Sequence, residues 1–172
     1  MNKLNRAFEN AYGVDIKELQ EVLAIAGDLY NSDEVQGLAQ FEQHLEINRL
    51  QHITAVACTS LRLCKKFGLD AKCAVRAAVL HDLFYYDWRD GKTGKWHRLH
   101  GYRHPRTAAM NSHELYPEIS KKEERIILRH MWPLTILPPS SKEGFIVSLS
   151  DKYCATLEVL YSVGKIKTSH QK

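Results

Sequence analysis

The chain has no apolar run approaching the roughly 18 to 20 residues that cross a bilayer, and Ala74–Leu80 typifies its short ones. Its first residues, Met1-Asn-Lys-Leu-Asn-Arg-Ala-Phe-Glu, lack the apolar stretch and small-residue cleavage site of a secretory signal. No membrane partner and a cytoplasmic location are therefore expected. Five prolines and nine glycines in 172 residues are too few for a collagenous or low-complexity chain. The four cysteines, Cys58, Cys64, Cys73 and Cys154, form no C-x-x-C pair, which argues against a zinc knuckle or redox motif. They fall within apolar helical patterns and read as reduced core residues. Lys+Arg 24 against Asp+Glu 20 leaves +4 without a dense basic stripe, so no nucleic-acid partner is expected. A small anionic substrate in a local positive pocket fits that balance. What the chain does have is histidine: nine of them.

Apolar spacing is helical nearly throughout and alternating β patterns are scarce, so the expected fold is all-α, with one domain, no linker and no internal repeat. Asp15 can cap a helix with Ile16, Leu19, Leu23, Ala26 and Tyr30 on one face, and Asn31-Ser-Asp-Glu ends it and starts another. A long helix is predicted from about Asn48 to Phe67, with Gly68 at its end. Asp70 caps the next, from Ala71 to about Leu83, whose apolar circumference marks a central, buried helix. Residues Tyr85 to Gly101 read as a long loop, able to close over a substrate or to remain an exposed surface loop. His104-Pro105 opens a helix with proline in its first position, and Ser120-Lys-Lys-Glu123 is a capping box. A last helix is predicted from about Lys142 to Val163, followed by a frayed polar tail.

The strongest local signal is His81-Asp82 at the end of the buried helix. An aspartate in such a setting is costly unless it is paired, protonated or bound to metal. Asp151 likewise interrupts the largely apolar stretch Gly144-Phe-Ile-Val-Ser-Leu-Ser-Asp-Lys-Tyr-Cys-Ala, and His52 sits between Leu50 and Ile53 on a core helix. His104 and His130 lie on further helices or their ends. Any one of these can be a satisfied structural residue. Six on five separate elements can be pointed at one centre by a helical bundle, and mixed imidazole and carboxylate ligands suit transition metals.

The order His52, His81-Asp82, His104, His130, Asp151 resembles the HD-domain superfamily of metal-dependent phosphohydrolases, over roughly residues 48 to 160. The H…HD…D pattern that defines the family corresponds to His52, His81, Asp82 and Asp151, and the two additional histidines resemble those of its two-metal members. The surrounding residues look like a subgroup of small, stand-alone bacterial HD proteins. The resemblance implies a single-domain bundle of about six to eight helices. Residues 1–47 would form N-terminal helices on the core, 48–163 the hydrolase core and 164–172 a polar tail, all one structural domain. It implies two divalent transition metals, with Fe or Mn as first candidates and Zn, Co, Ni or Mg as others. One metal would take His52, His81, Asp82 and Asp151; the second would take His104 and His130, with Asp82 bridging both and acting in catalysis.

Such a site would hold a bridging hydroxide and hydrolyse a phosphomonoester or phosphodiester, with a nucleotide as the expected substrate. Arg49, one turn before His52, Arg103 and Arg106 flanking His104, and Lys152 beside Asp151 are candidate phosphate-binding residues or ordinary surface charges. Asp87 can orient water or protonate a leaving group, or be a plain loop carboxylate. His44, His97 and His100 are possible pocket or lid residues; His113 and His170 look peripheral. Tyr85, Tyr86, Trp88 and Trp96 could stack on a base or form a wall. Alternatives to hydrolysis are a di-iron oxygenase on the same fold and a non-catalytic nucleotide-binding module. A homo-oligomer is compatible with either.

Overall fold

A computed structural model describes Tyr12 and residues 14–44, 47–87 and 99–169, with side chains to Tyr161. Seven α-helices dominate the described residues: α1 Ile16–Tyr30, α2 Asp33–Gln36, α3 Arg49–Phe67, α4 Ala71–Leu80, α5 His100–Leu115, α6 Lys121–Arg129 and α7 Lys142–Ser169. A 3-10 turn, Gly37–Gln40, and two short antiparallel strands, β1 Glu42–His44 and β2 Ile47–Asn48, join α2 to α3. The fold is all-α, as the periodicity predicts.

Local chemistry sets the helix boundaries. Asp15, Asn48 and Ser120 each close a capping box with the third residue beyond, Glu18, Gln51 and Glu123. Gly68 ends α3 at φ 63°, in the left-handed region that glycine adopts at little cost. Asp70 then caps α4 by accepting from the Cys73 amide. Every residue of α4 from Cys73 to Leu80 is buried, and the helix packs against α1, α3, α5, α6 and α7. Burying Val75, Val79 and Leu80 contributes about 1.5–3 kcal/mol each before entropy is counted. The buried cation on α4, Arg76, is offset by Asp28 at 2.7 Å and Glu123 at 3.2 Å. All four cysteines are buried free thiols.

Several boundaries differ from the sequence expectation. α4 stops at Leu80, so His81 and Asp82 form a turn rather than continuing the helix. α5 begins at His100 and carries Pro105 in its interior. The proline forfeits one backbone bond. The extra first turn brings the His100 ring against His104, with centroids 4.5 Å apart and 23° between planes. On α1 the buried face is Val22, Ala26 and Leu29, while Ile16 is exposed. The strand pair has no alternating pattern to announce it. α7 continues to Ser169, past the end predicted near Val163. Residues 88–98 of the predicted 85–101 loop lie outside the described residues, and no helix of the described chain is long and apolar enough to cross a membrane.

Candidate metal centre

His81 and His130 occupy equivalent positions: each is the C-cap of its helix, α4 and α6 respectively. The last carbonyls of a helix have no partner within it. His81 Nδ1 donates to the Ala78 carbonyl at 2.7 Å, and His130 Nδ1 to the Ile127 carbonyl at 2.7 Å. A carbonyl can only accept, so both Nδ1 atoms carry the proton, and in the neutral ring Nε2 is the lone-pair atom. His104, on α5, follows the same rule through the His100 carbonyl at 3.0 Å. His52, in the first turns of α3, uses a side chain instead: Nδ1 meets Glu158 Oε1 at 2.6 Å and Nε2 meets Asp151 Oδ1 at 3.2 Å.

These four imidazoles converge with two carboxylates. Asp82 Oδ1 lies 3.3 Å from His104 Nε2 and 3.7 Å from His130 Nε2, while its Oδ2 faces His81 Nε2 at 3.9 Å. Asp151 Oδ1 lies 3.8 Å from His81 Nε2. All six residues are buried. The groups His52–His81–Asp151 and His81–Asp82–His130 each offer three ligand atoms within 4.8 Å of one another.

The donor set fits a cation. His81 Nε2 and Asp82 Oδ1 are buried without a hydrogen-bond partner. His104 Nε2 and His130 Nε2 face each other at 2.9 Å, and both are lone-pair atoms by the argument above. Two lone pairs at that distance repel unless a cation lies between or beside them. Burial, together with His81 and His104, pushes His130 down to about 3, and burial also lowers His104, so a proton is poorly placed to be that cation. Burial opposes charge on Asp82 too, yet the imidazoles of His81 and His104 hold its carboxyl well below the usual range. Burial likewise opposes charge on Asp151, whose contacts with His52 and His81 keep it ionised. Burial disfavours the imidazolium of His52, but Glu158 and Asp151 on either side outweigh it and raise its pKa well above the ordinary value. The C-terminal, negative ends of α4 and α6 add to the pull on a cation.

A cavity of about 200 Å³ opens onto the cluster, lined by His52, Asp82, His104, His130 and Asp151 together with Gln43, His100, Met131 and Lys152. Lys152 Nζ donates to the His130 carbonyl at 2.8 Å and lies 3.3 Å from Asp151 Oδ2. The other cationic candidates are placed differently. Arg49 is fully buried: its guanidinium donates to the Phe84 carbonyl at 2.6 Å, the Tyr86 carbonyl at 3.2 Å and Gln43 Oε1 at 3.3 Å, with its centre 3.6 Å from the Phe84 ring. It braces the wall of the site and does not line the cavity, because carbonyls, not solvent, satisfy it. Arg106 is exposed and lines grooves with Met110, Leu128, Ile136 and Leu137 instead of this cavity. Arg103 and Asp87 are exposed and do not line it.

Of the remaining histidines, His100 lines the cavity, with the Tyr86 hydroxyl 3.3 Å from its Nδ1. His113 is exposed. The side chain of His44, and all of His97, His170, Trp88 and Trp96, fall outside the described residues. Tyr85 and Tyr86 are exposed.

Three contributors escaped the sequence reading. Gln43 Nε2 donates to Asp82 Oδ2 at 3.1 Å, and Tyr12 donates to Glu158 Oε1 at 2.7 Å beneath His52. Glu158 alone left a signal, lying seven residues, two helical turns, beyond Asp151.

No curated protein and no solved structure matches the chain significantly. A family model does: the one described as HD domain covers residues 49–156, well over half the chain and all six clustered residues. With its buried His/Asp cluster and helical architecture, the chain belongs to the HD-domain family, a superfamily made up mostly of metal-dependent hydrolases.

Proposed function

We propose that this protein is a divalent-metal-dependent phosphohydrolase acting on a phosphomonoester or phosphodiester of a nucleotide. The observation that carries the reading is the pair of facing, unprotonated Nε2 atoms of His104 and His130 beside Asp82 Oδ1, which require a cation. The two oxygens of Asp82 face different partners, His104 and His130 on one side and His81 on the other, which suits a bridging carboxylate between two ions. His52, His81, Asp82 and Asp151 would hold one ion, and His104 and His130 with Asp82 the second, with Fe or Mn as first candidates. Two such ions supply Lewis acidity and lower the pKa of water toward neutrality.

The chain's own residues do the rest. Backbone carbonyls fix the imidazole orientations, and Gln43 holds Asp82 by its Oδ2. Lys152, half-buried at the cavity wall, offers the nearest cationic group for a phosphoryl oxygen. Tyr86 and His100 form an aromatic rim against which a base can stack, their centroids 5.7 Å apart. The test is metal analysis after reconstitution with Mn or Fe, followed by a nucleotide-rich phosphatase and phosphodiesterase screen. At least one ion per chain and phosphate release are expected, and Asp82→Ala should abolish both. A wild-type protein that takes up no transition metal would end the proposal.

A further inference from the structure

His52 differs from the other three clustered histidines in how its Nδ1 is held. His81 and His130 borrow orphan carbonyls at helix ends, and His104 borrows the carbonyl of His100. His52 sits in the opening turns of α3, and there a side chain supplies the acceptor. Glu158 does so at 2.6 Å, its side chain fully buried. The same oxygen, Oε1, accepts from the Tyr12 hydroxyl at 2.7 Å, and Tyr12 is buried as well. Asp151 and Glu158 lie two turns apart on α7, so one helix brackets the imidazole: Asp151 on Nε2, Glu158 on Nδ1. The segment matched by the family model ends at residue 156 and begins at 49, which leaves Glu158 beyond it on one side and Tyr12 on the other.

We propose that Glu158, steadied by Tyr12, is a positioning residue that fixes the tautomer and ring orientation of His52 and thereby sets the metal affinity of the centre. A carboxylate on the far nitrogen of a ligating histidine keeps Nε2 free as the donor atom and raises its basicity. The inference rests on the metal-centre reading above and deepens it: the flanks of the chain, and not only its matched core, tune the site.

The experiment is a Co²⁺ titration followed by visible absorption and chelator competition, on the full chain. The wild type, Glu158→Gln, Tyr12→Phe, His52→Ala and the double variant Glu158→Gln/His52→Ala are compared. Glu158→Gln is expected to weaken Co²⁺ binding about 10- to 100-fold, and Tyr12→Phe by less. If the action runs through His52, adding Glu158→Gln to His52→Ala changes affinity by less than about threefold, because the two losses do not add. Binding by Glu158→Gln within about twofold of wild type, or equal losses with and without His52, overturns the proposal while leaving the metal centre intact. Should Glu158→Gln fail to fold, Tyr12→Phe, which removes only a hydroxyl, carries the same comparison in the His52→Ala background. A wild type that takes up no Co²⁺ at all would instead remove the metal reading itself.

Discussion

Arg49→Met separates a brace from a phosphate clamp. Arginine at this position donates charge-assisted hydrogen bonds to Phe84, Tyr86 and Gln43 and lies over the Phe41 and Phe84 rings, all from a fully buried side chain. Such bonds contribute roughly 1.5–3 kcal/mol each when buried. The two reaching Tyr86 and Gln43 end on exposed or half-buried residues and count for less. Losing the cation over the Phe84 ring costs about 1–2 kcal/mol, and the Phe84 carbonyl left without its donor adds about 1–3 kcal/mol. Methionine recovers part of this by filling the apolar volume between Phe41 and Phe84. A net loss of about 3–5 kcal/mol is expected, against a total stability of roughly 5–15 kcal/mol. For a chain of this length that is a fall in Tm of roughly 6 to 20 °C. Urea unfolding of metal-free protein measures it. Arg49→Lys, which keeps the charge but not the planar fork, should recover little. A loss below about 1 kcal/mol, combined with a raised KM and an unchanged kcat, would show that Arg49 meets substrate and that the brace argument is wrong.

Gln43→Leu removes the amide that steadies Asp82 and should weaken Mn²⁺ binding about 10-fold in isothermal titration; unchanged affinity would deny it that role. The pH response of His130 has a defined sign. Its folded pKa, about 3, lies below the unfolded value of about 6.5, so its contribution to stability is present above 6.5 and lost as pH falls toward 3. Metal-free wild type should therefore lose stability relative to His130→Gln between pH 7 and 5, by at most about 1.4 kcal/mol per pH unit in urea midpoints. A parallel pair of curves would refute it. Burial pushes Cys58 and Cys73 up to about 12 and Cys64 and Cys154 up to about 11. Native protein at pH 8 should resist iodoacetamide at all four and take up four groups once unfolded, by intact mass.

The sequence made the cluster legible where a polar residue broke an apolar pattern, as Asp82 and Asp151 do. It made helix boundaries legible where a cap was explicit, at Asp15, Gly68, Asp70 and Ser120. It misled where one local rule met a tertiary contact. Pro105 is a good first residue for a helix, but stacking of His100 on His104 extends α5 beyond it. Arg49 shares a helical face with His52 and so resembled a ligand-side cation. Only the packed structure shows that carbonyls of the chain itself absorb its donors. Gln43 sits on a three-residue strand, too short for any alternation to register.

Asp151 and Glu158 reach back across 99 and 106 residues to His52, while Gln43 reaches forward 39 residues to Asp82. With every cysteine a free thiol, the chain holds no covalent cross-link among its described residues. An ion shared by His52 and Asp151 would tie α3 to α7 and close a loop spanning more than half of the molecule. The centre is then also a clasp. Chelation should loosen α7 from the bundle, so that sensitivity to proteases along α7 would report on metal occupancy as directly as turnover does.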